Sequence, residues 1–155
     1  MNTNAYRSAL GKFATGVCVV TGVRDGKKLG MTINSFSSVS LDPSLVLWSL
    51  KKDAATYDLF SSLDDYVINV LSEGQEDISS KYARFGDHVM DEDDFTMSTE
   101  GLPIVSGSIS FFICKKWSVL EAGDHEILIG SVSRYGIFSE ENPLLFYKGK
   151  YRLLA

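Results

Sequence analysis

Apolar and polar positions along this chain alternate far more often than they recur at helical spacing. Residues 17–23 and 29–34 are β-branched, alternating runs joined by Arg24-Asp25-Gly26-Lys27, and Asp-Gly between such runs predicts a hairpin. Further strands are expected over 44–50, 66–71, 108–120, 127–138 and 144–153, the long pair being joined across 121–126. Helical spacing is confined to three short stretches. Asn4 caps a helix carrying Tyr6, Leu10 and Phe13 and ended by Gly16. Asp53 caps a second over 54–63, with Ala55, Leu59, Phe60 and Leu63 as its apolar stripe. The third, over 76–85, places Ile78, Tyr82 and Phe85 on one face, and an acidic, irregular loop follows over 86–103. Strands joined by tight turns pair antiparallel. The prediction is a mainly β chain with short helices, a small barrel carrying them on its outside.

The segment 29–51, LGMTINSFSSVSLDPSLVLWSLK, stands apart. Thr32, Asn34, Ser35, Ser37, Ser38 and Ser40 supply many short donors and acceptors and no charge. Such a row suits a planar, polar-edged ligand needing several neutral hydrogen bonds. It suits a metal, a bare phosphate or a nucleic acid less well. The competing reading is a strand whose hydroxyls face water.

Composition narrows the classes. At 155 residues with 45% apolar and 23% charged residues, the chain reads as one globular domain over 1–155. Its net charge of −5 and its scattered basic pairs argue against nucleic acid or an anionic membrane as partner. No segment has the apolar run of a signal peptide or a membrane span, so a cytoplasmic protein is expected. Cys18 and Cys114 lie in apolar surroundings far apart in sequence and read as free, buried thiols.

Candidate chemistry is sparse. There is no G-x-G-x-x-G after a strand, and GVRDGK (22–27) is not a Walker loop. Ser49-Leu50-Lys51-Lys52 followed by a helix start at Asp53 with Thr56 offers another way to hold a phosphate. The alternative is that Asp53 caps the helix and the lysines are solvated. Gly123-Asp124-His125 makes a tight bend with a histidine at the mouth of the next strand, Asp124 being expected on the opposite face. His88 lies among Asp87, Asp91, Glu92, Asp93 and Asp94, but the spacing fits neither an EF-hand nor a zinc helix, so no metal is expected. Phe146-Tyr147-Lys148-Gly149-Lys150-Tyr151 reads as an edge strand with both tyrosines on one face, which is open to core, dimer interface or ligand platform.

Taken in order, FATGVCVVTG (13–22), GMTINSFSSVSLDPSLVL (30–47), Thr56-Tyr57-Asp58-Leu59-Phe60, VINVLS (67–72), GDHEILIGSV (123–132) and PLLFYKGKYRLL (143–154) resemble the flavin reductase-like family. These are FMN-binding split barrels, the small reductase components of two-component monooxygenases. The second proline that members often carry after Asp-Pro is Ser44 here. The resemblance implies an antiparallel Greek-key split barrel that dimerises, with FMN or FAD near the subunit interface. It implies that Thr32, Ile33, Asn34 and Ser35 edge the isoalloxazine and ribityl chain, and that Ser49, Leu50 and Lys51 line the next strand. Thr56 would meet the phosphate, with Lys81 and Arg84 as further phosphate partners, and His125 and Tyr147 would flank the nicotinamide. The implied reaction is hydride transfer from NADH or NADPH to flavin, with reduced flavin passing to a partner monooxygenase in some members. A flavin- or haem-binding barrel without turnover is the alternative, and a non-catalytic interaction domain a third.

Overall fold

The computed structural model describes residues 1–155. Helix α1 (Thr3–Leu10) precedes β1 (Thr15–Gly16), β2 (Cys18–Arg24), β3 (Lys27–Ile33), β4 (Ser37–Leu41) and β5 (Ser44–Lys51). Then come α2 (Tyr57–Ser61), β6 (Asp65–Val70), α3 (Glu76–Ala83), β7 (Phe95–Met97) and β8 (Pro103–Val105). The chain ends with β9 (Ser110–Ala122), β10 (His125–Ile137), β11 (Leu145–Tyr147) and β12 (Lys150–Arg152).

Seven strands form one antiparallel sheet in the order β3-β2-β6-β9-β10-β5-β4. It curls around a core holding Val20, Trp48, Phe60, Tyr66, Ile68 and Leu128. The curl stays open between its two edge strands, β3 and β4, which follow one another in sequence. Residues 34–36 cross that split, and Ser35 pins them to β5: its Oγ accepts from the Ser49 N–H at 2.9 Å.

Two stretches of the sheet's outer surface are covered. α3 and the β11–β12 hairpin pack on Val17 and Val19 through Tyr82, Leu144, Phe146 and Tyr151. The β7–β8 hairpin packs on Val67, Phe111 and Ile113 through Ile104. Buried Asn69 fastens this hairpin: its Nδ2 donates to Val19 O at 2.9 Å, and its Oδ1 accepts from Val105 N–H at 2.9 Å. The outer surface of β4, β5 and β10 has no such cover. Strand alternation puts Trp48 and Leu128 inside, so Leu45, Leu47, Ile127 and Ile129 lie outside, only half-buried.

Local chemistry explains where the elements differ from expectation. The cap of α1 is Asn2, whose Oδ1 accepts from the N–H of Asn4 and Ala5 at 3.0 and 3.1 Å; the helix stops at Gly11, before Gly16. Its stripe of Tyr6, Leu10 and Phe13 is exposed. α2 begins at Tyr57, because Asp53 pairs with Lys51 at 3.1 Å and caps nothing. Phe85 lies beyond the end of α3 and is fully exposed. The segment read as an irregular loop contains the β7–β8 hairpin, whose three-residue strands carry too little alternation to show. The closing strand is instead a hairpin turning at Lys148-Gly149, both at positive φ as at Asp25-Gly26. Pairing Phe146 with Tyr151 across this hairpin leaves Tyr147 on the other face, so the two tyrosines do not share one. Both cysteines are buried and free of any disulfide, and burial pushes the pKa of each thiol up to about 12.

Candidate functional site

At the split between β3 and β4 the sheet leaves an edge of main-chain groups open. On the free edge of β3, Gly30 N–H donates to His88 O at 2.9 Å and Lys28 O accepts from Met90 N–H at 2.8 Å. Backbone alternation puts Thr32 next in that series, with its own N–H and C=O facing the opening. The Thr32 hydroxyl donates to Ser79 O at 2.7 Å and ties β3 to α3.

Two adjoining hollows run along this edge, sharing Thr32 and Ala83 as a common wall. The first, about 200 Å³, is bounded by Val17, Ile33, Asn34, Ser79, Phe146 and Tyr151. It has an aromatic side, with the Phe146 and Tyr151 rings edge to face at 5.7 Å, and a polar one. There Ser79 Oγ and Tyr151 OH bond to each other at 2.6 Å, while the exposed Asn34 amide has no protein partner. The second hollow, about 220 Å³, holds Ala55, Thr56, Arg84, Phe85 and His88. Here the N–H groups of Ala55 and Thr56 donate to no protein acceptor, and Arg84 makes no ion pair. One hollow therefore offers rings and a neutral amide, the other a cation and free backbone donors.

Of the residues singled out from sequence, Thr32, Ile33, Asn34, Thr56 and Arg84 meet in this groove. Ile33 enters it by its backbone, since its side chain is 8% exposed in the barrel core. Leu50 is likewise inward, at 2% exposure, so only its main chain is available. Ser35 braces the split. Ser49 and Lys51 lie on the outer sheet surface, directly across from Ile127 and His125. Lys81 departs from the phosphate role: its ammonium bonds Asp91 at 2.6 Å and Asp94 at 2.7 Å, which raise its pKa and take up its charge. The helix-dipole argument at 53–56 also lapses, because α2 has only five residues.

His125 and Asp124 are joined, contrary to the opposite-face expectation: Asp124 Oδ1 lies 2.8 Å from His125 Nδ1. This bond holds the Asp124 carboxyl below its ordinary range. The tight turn bends the backbone enough to bring neighbouring side chains together. Tyr147 sits in the three-stranded sheet formed by β1, β11 and β12, under the Lys148 ammonium at 5.2 Å, and meets neither His125 nor the groove. Ser79, Phe146 and His88 are lining residues that sequence reasoning did not assign to the flavin, and Tyr151 entered it only as part of a face open to core, interface or ligand. The available signal for Ser79 was its spacing, three residues before Tyr82 on the apolar face of the predicted third helix; the others depend on long-range packing.

The flavin reductase like domain profile matches residues 10–155. The chain belongs to the flavin reductase-like family. An FMN reductase (NADH), SmoA, of Agrobacterium fabrum (strain C58 / ATCC 33970) is 40% identical over 150 residues, spanning 97% of this chain and 85% of that protein. The structure of flavin reductase PheA2 in its native state superposes with a TM-score of 0.90 at 37% identity, over 100% of this chain and 99% of that one. The NADH:FAD oxidoreductase SgcE6 of Streptomyces globisporus C-1027, in complex with NAD and FAD fragments, does so at 0.93 and 34% identity, over 99% and 93%.

The donor set of this flavin reductase-like chain fits a flavin nucleotide. The open β3 edge and the unpartnered Asn34 amide match the polar rim of a fused heteroaromatic ring, and Phe146 and Tyr151 its apolar body. Arg84, the Thr56 hydroxyl and two free N–H groups match a phosphate. The chain holds no group of three or more His, Cys, Asp or Glu placed to bind a metal. No helix is long and apolar enough to cross a membrane.

Proposed function

We propose that this chain is an NAD(P)H-dependent flavin reductase that transfers hydride from a reduced nicotinamide to FMN or FAD. The observation that carries the proposal is the groove along the open β3 edge, which presents neutral donors and acceptors at one end and an uncommitted arginine at the other. Bound there, the flavin supplies the hydride-accepting ring. The chain's task is to orient: Thr32 main chain and Asn34 edge the ring, and Thr56 with Arg84 hold the phosphate. Neutral groups suffice at the ring end, because hydride transfer asks no side chain to accept a proton. His125, its ring held by Asp124, flanks the nicotinamide and sets the approach of the two rings, Tyr147 joining it only from a second copy.

The functional unit we propose is a cytoplasmic homodimer joined through the uncovered outer surface of β4, β5 and β10. That surface carries Leu45, Leu47, Ile127 and Ile129 on the same side as Ser49, Lys51 and His125. A second copy seated there would close over those three residues and could bring a Tyr147 to the nicotinamide side. The reduced flavin would then pass to a partner monooxygenase, as the names of several relatives suggest: the reductase subunit HsaB of a flavin-dependent monooxygenase in Rhodococcus jostii (strain RHA1) is 38% identical.

The test is anaerobic addition of NADH, then NADPH, to the protein mixed with FMN. Bleaching of the oxidised flavin band at a rate proportional to protein is expected with at least one nicotinamide. No bleaching with either, while FMN fluorescence is still quenched, would leave a flavin-binding barrel without turnover.

A further inference from the structure

His88 stands in the second hollow with Arg84 and Thr56, on the loop that follows α3. Its backbone is at φ 58, a conformation few residues adopt without support. The support is visible: the His88 carbonyl accepts from Gly30 N–H at 2.9 Å, and ring Nδ1 lies 2.8 Å from Gly30 O. Both halves of His88 are thus clamped to the free edge of β3. The Phe60 ring meets the imidazole edge-on at 6.2 Å, which fixes its plane.

A carbonyl oxygen only accepts, so Nδ1 carries the hydrogen. That leaves Nε2, which has no protein partner, as the atom whose state varies. In the neutral ring Nε2 is a lone pair; in the imidazolium it is an N–H donor with positive charge. Imidazole is the side chain that changes between these forms from pH 5 to 8.

We propose that His88 is a binding residue for the phosphate of the flavin nucleotide, donating from Nε2 when the ring is protonated. The inference rests on the flavin reading above and names a further partner at its phosphate end. The charged and titratable groups around the ring are Arg84, Asp87 and Asp91 on its own loop and Lys81 and Tyr82 on α3. Lys81 is shared between Asp91 and Asp94, so that trio keeps one net negative charge, and Asp87, whose Oδ1 accepts from Val89 N–H at 3.0 Å, adds its own. The residues of β3 and of 54–56 that share the hollow bring no charge. Arg84 therefore supplies constant attraction and His88 a pH-dependent increment, and phosphate binding in turn favours the imidazolium.

The experiment measures dissociation constants for FMN, FAD and riboflavin by fluorescence quenching from pH 5.5 to 8.5, in wild type and in His88→Asn. Asparagine tolerates positive φ and its Nδ2 can still donate to Gly30 O, so the loop keeps its anchor. The mutant-to-wild-type ratio for FMN is expected to be about ten at the acid end, the size of one charge-assisted hydrogen bond, and to fall towards one at pH 8.5. Taking the ratio cancels the titration of the FMN phosphate itself. Riboflavin, which lacks the phosphate, should give a ratio near one throughout. In wild type alone, FAD should bind more weakly as pH rises, its pyrophosphate being fully ionised across the range. A ratio independent of pH, or an equal loss for riboflavin, would overturn the proposal in favour of a merely structural histidine. Failure of all three flavins to quench with wild-type protein would overturn the flavin reading and this one with it, an outcome distinct from either of the others.

Discussion

Asn34 carries a side-chain amide with no protein partner, at the point where β3 leaves the sheet and the chain crosses the split. Because it is exposed, its replacement would remove the proposed ligand contact without opening a hole. Asn34→Leu should therefore weaken FMN affinity about ten-fold, the value of one neutral to moderately strong hydrogen bond, with an unchanged melting temperature. Unchanged affinity in a quenching titration would take Asn34 out of the site. The role proposed for His125 lies in a different step. Its Nδ1 is engaged by Asp124, so His125→Ala should raise KM for the nicotinamide several-fold while the flavin dissociation constant stays within a factor of two. A mutant with wild-type nicotinamide dependence would return this histidine to an exposed turn. Small polar groups at a strand end and a histidine after Gly-Asp are local signals that drew attention to both positions, while the flavin and nicotinamide roles proposed for them came from the family resemblance. Ile33 and Leu50 sit between such groups in sequence, yet the barrel interior claims their side chains. His88 was not legible as a site residue, because its hollow exists only once the loop is clamped to Gly30.

Among the elements, the hairpins divide by turn chemistry. Asp25-Gly26 announces itself, whereas Lys148-Gly149 does the same work with a lysine at positive φ and reads as unbroken strand. The β7–β8 hairpin was hidden for another reason: three-residue strands carry too little alternation to be seen. Its connecting turn is held to β10 by Arg134, which bonds Glu100 with both oxygens at 2.6 and 2.8 Å. The guanidinium holds the Glu100 carboxyl down at about 2. A carboxylate whose pKa is depressed on folding stabilises above its unfolded value, near 4.3, and that contribution is lost as pH falls through its folded value. Glu100→Gln should accordingly lower the urea midpoint at pH 6 by a small, measurable amount. The gap to wild type should narrow between pH 4.5 and pH 2.5. A gap that persists unchanged down to pH 2.5 would mean that shape, not charge, joins this turn to β10.

At the scale of the whole molecule, the sheet's outer surface carries the proposed dimer. α3 with the C-terminal hairpin covers one stretch and the β7–β8 hairpin another, while β4, β5 and β10 keep four half-buried aliphatic side chains without a cover. Burying such a surface against a second copy removes apolar area from water at about 25 cal/mol per Å². Introducing a charge at its centre reverses that gain. Ile129 lies at this centre, opposite Leu47 and away from the core, so Ile129→Glu should leave the barrel folded. Sedimentation velocity should then find a dimer for wild type and a monomer for Ile129→Glu, with circular dichroism unchanged. Because Ser49, Lys51 and His125 share this surface, the monomer should also lose most of its NADH-dependent flavin reduction. The exposed stripe of Tyr6, Leu10 and Phe13 on α1 is the competing interface, and Tyr6→Glu is its matching variant. If Tyr6→Glu separates the subunits and Ile129→Glu does not, the copies meet through α1, and closure over His125 must come from within one chain.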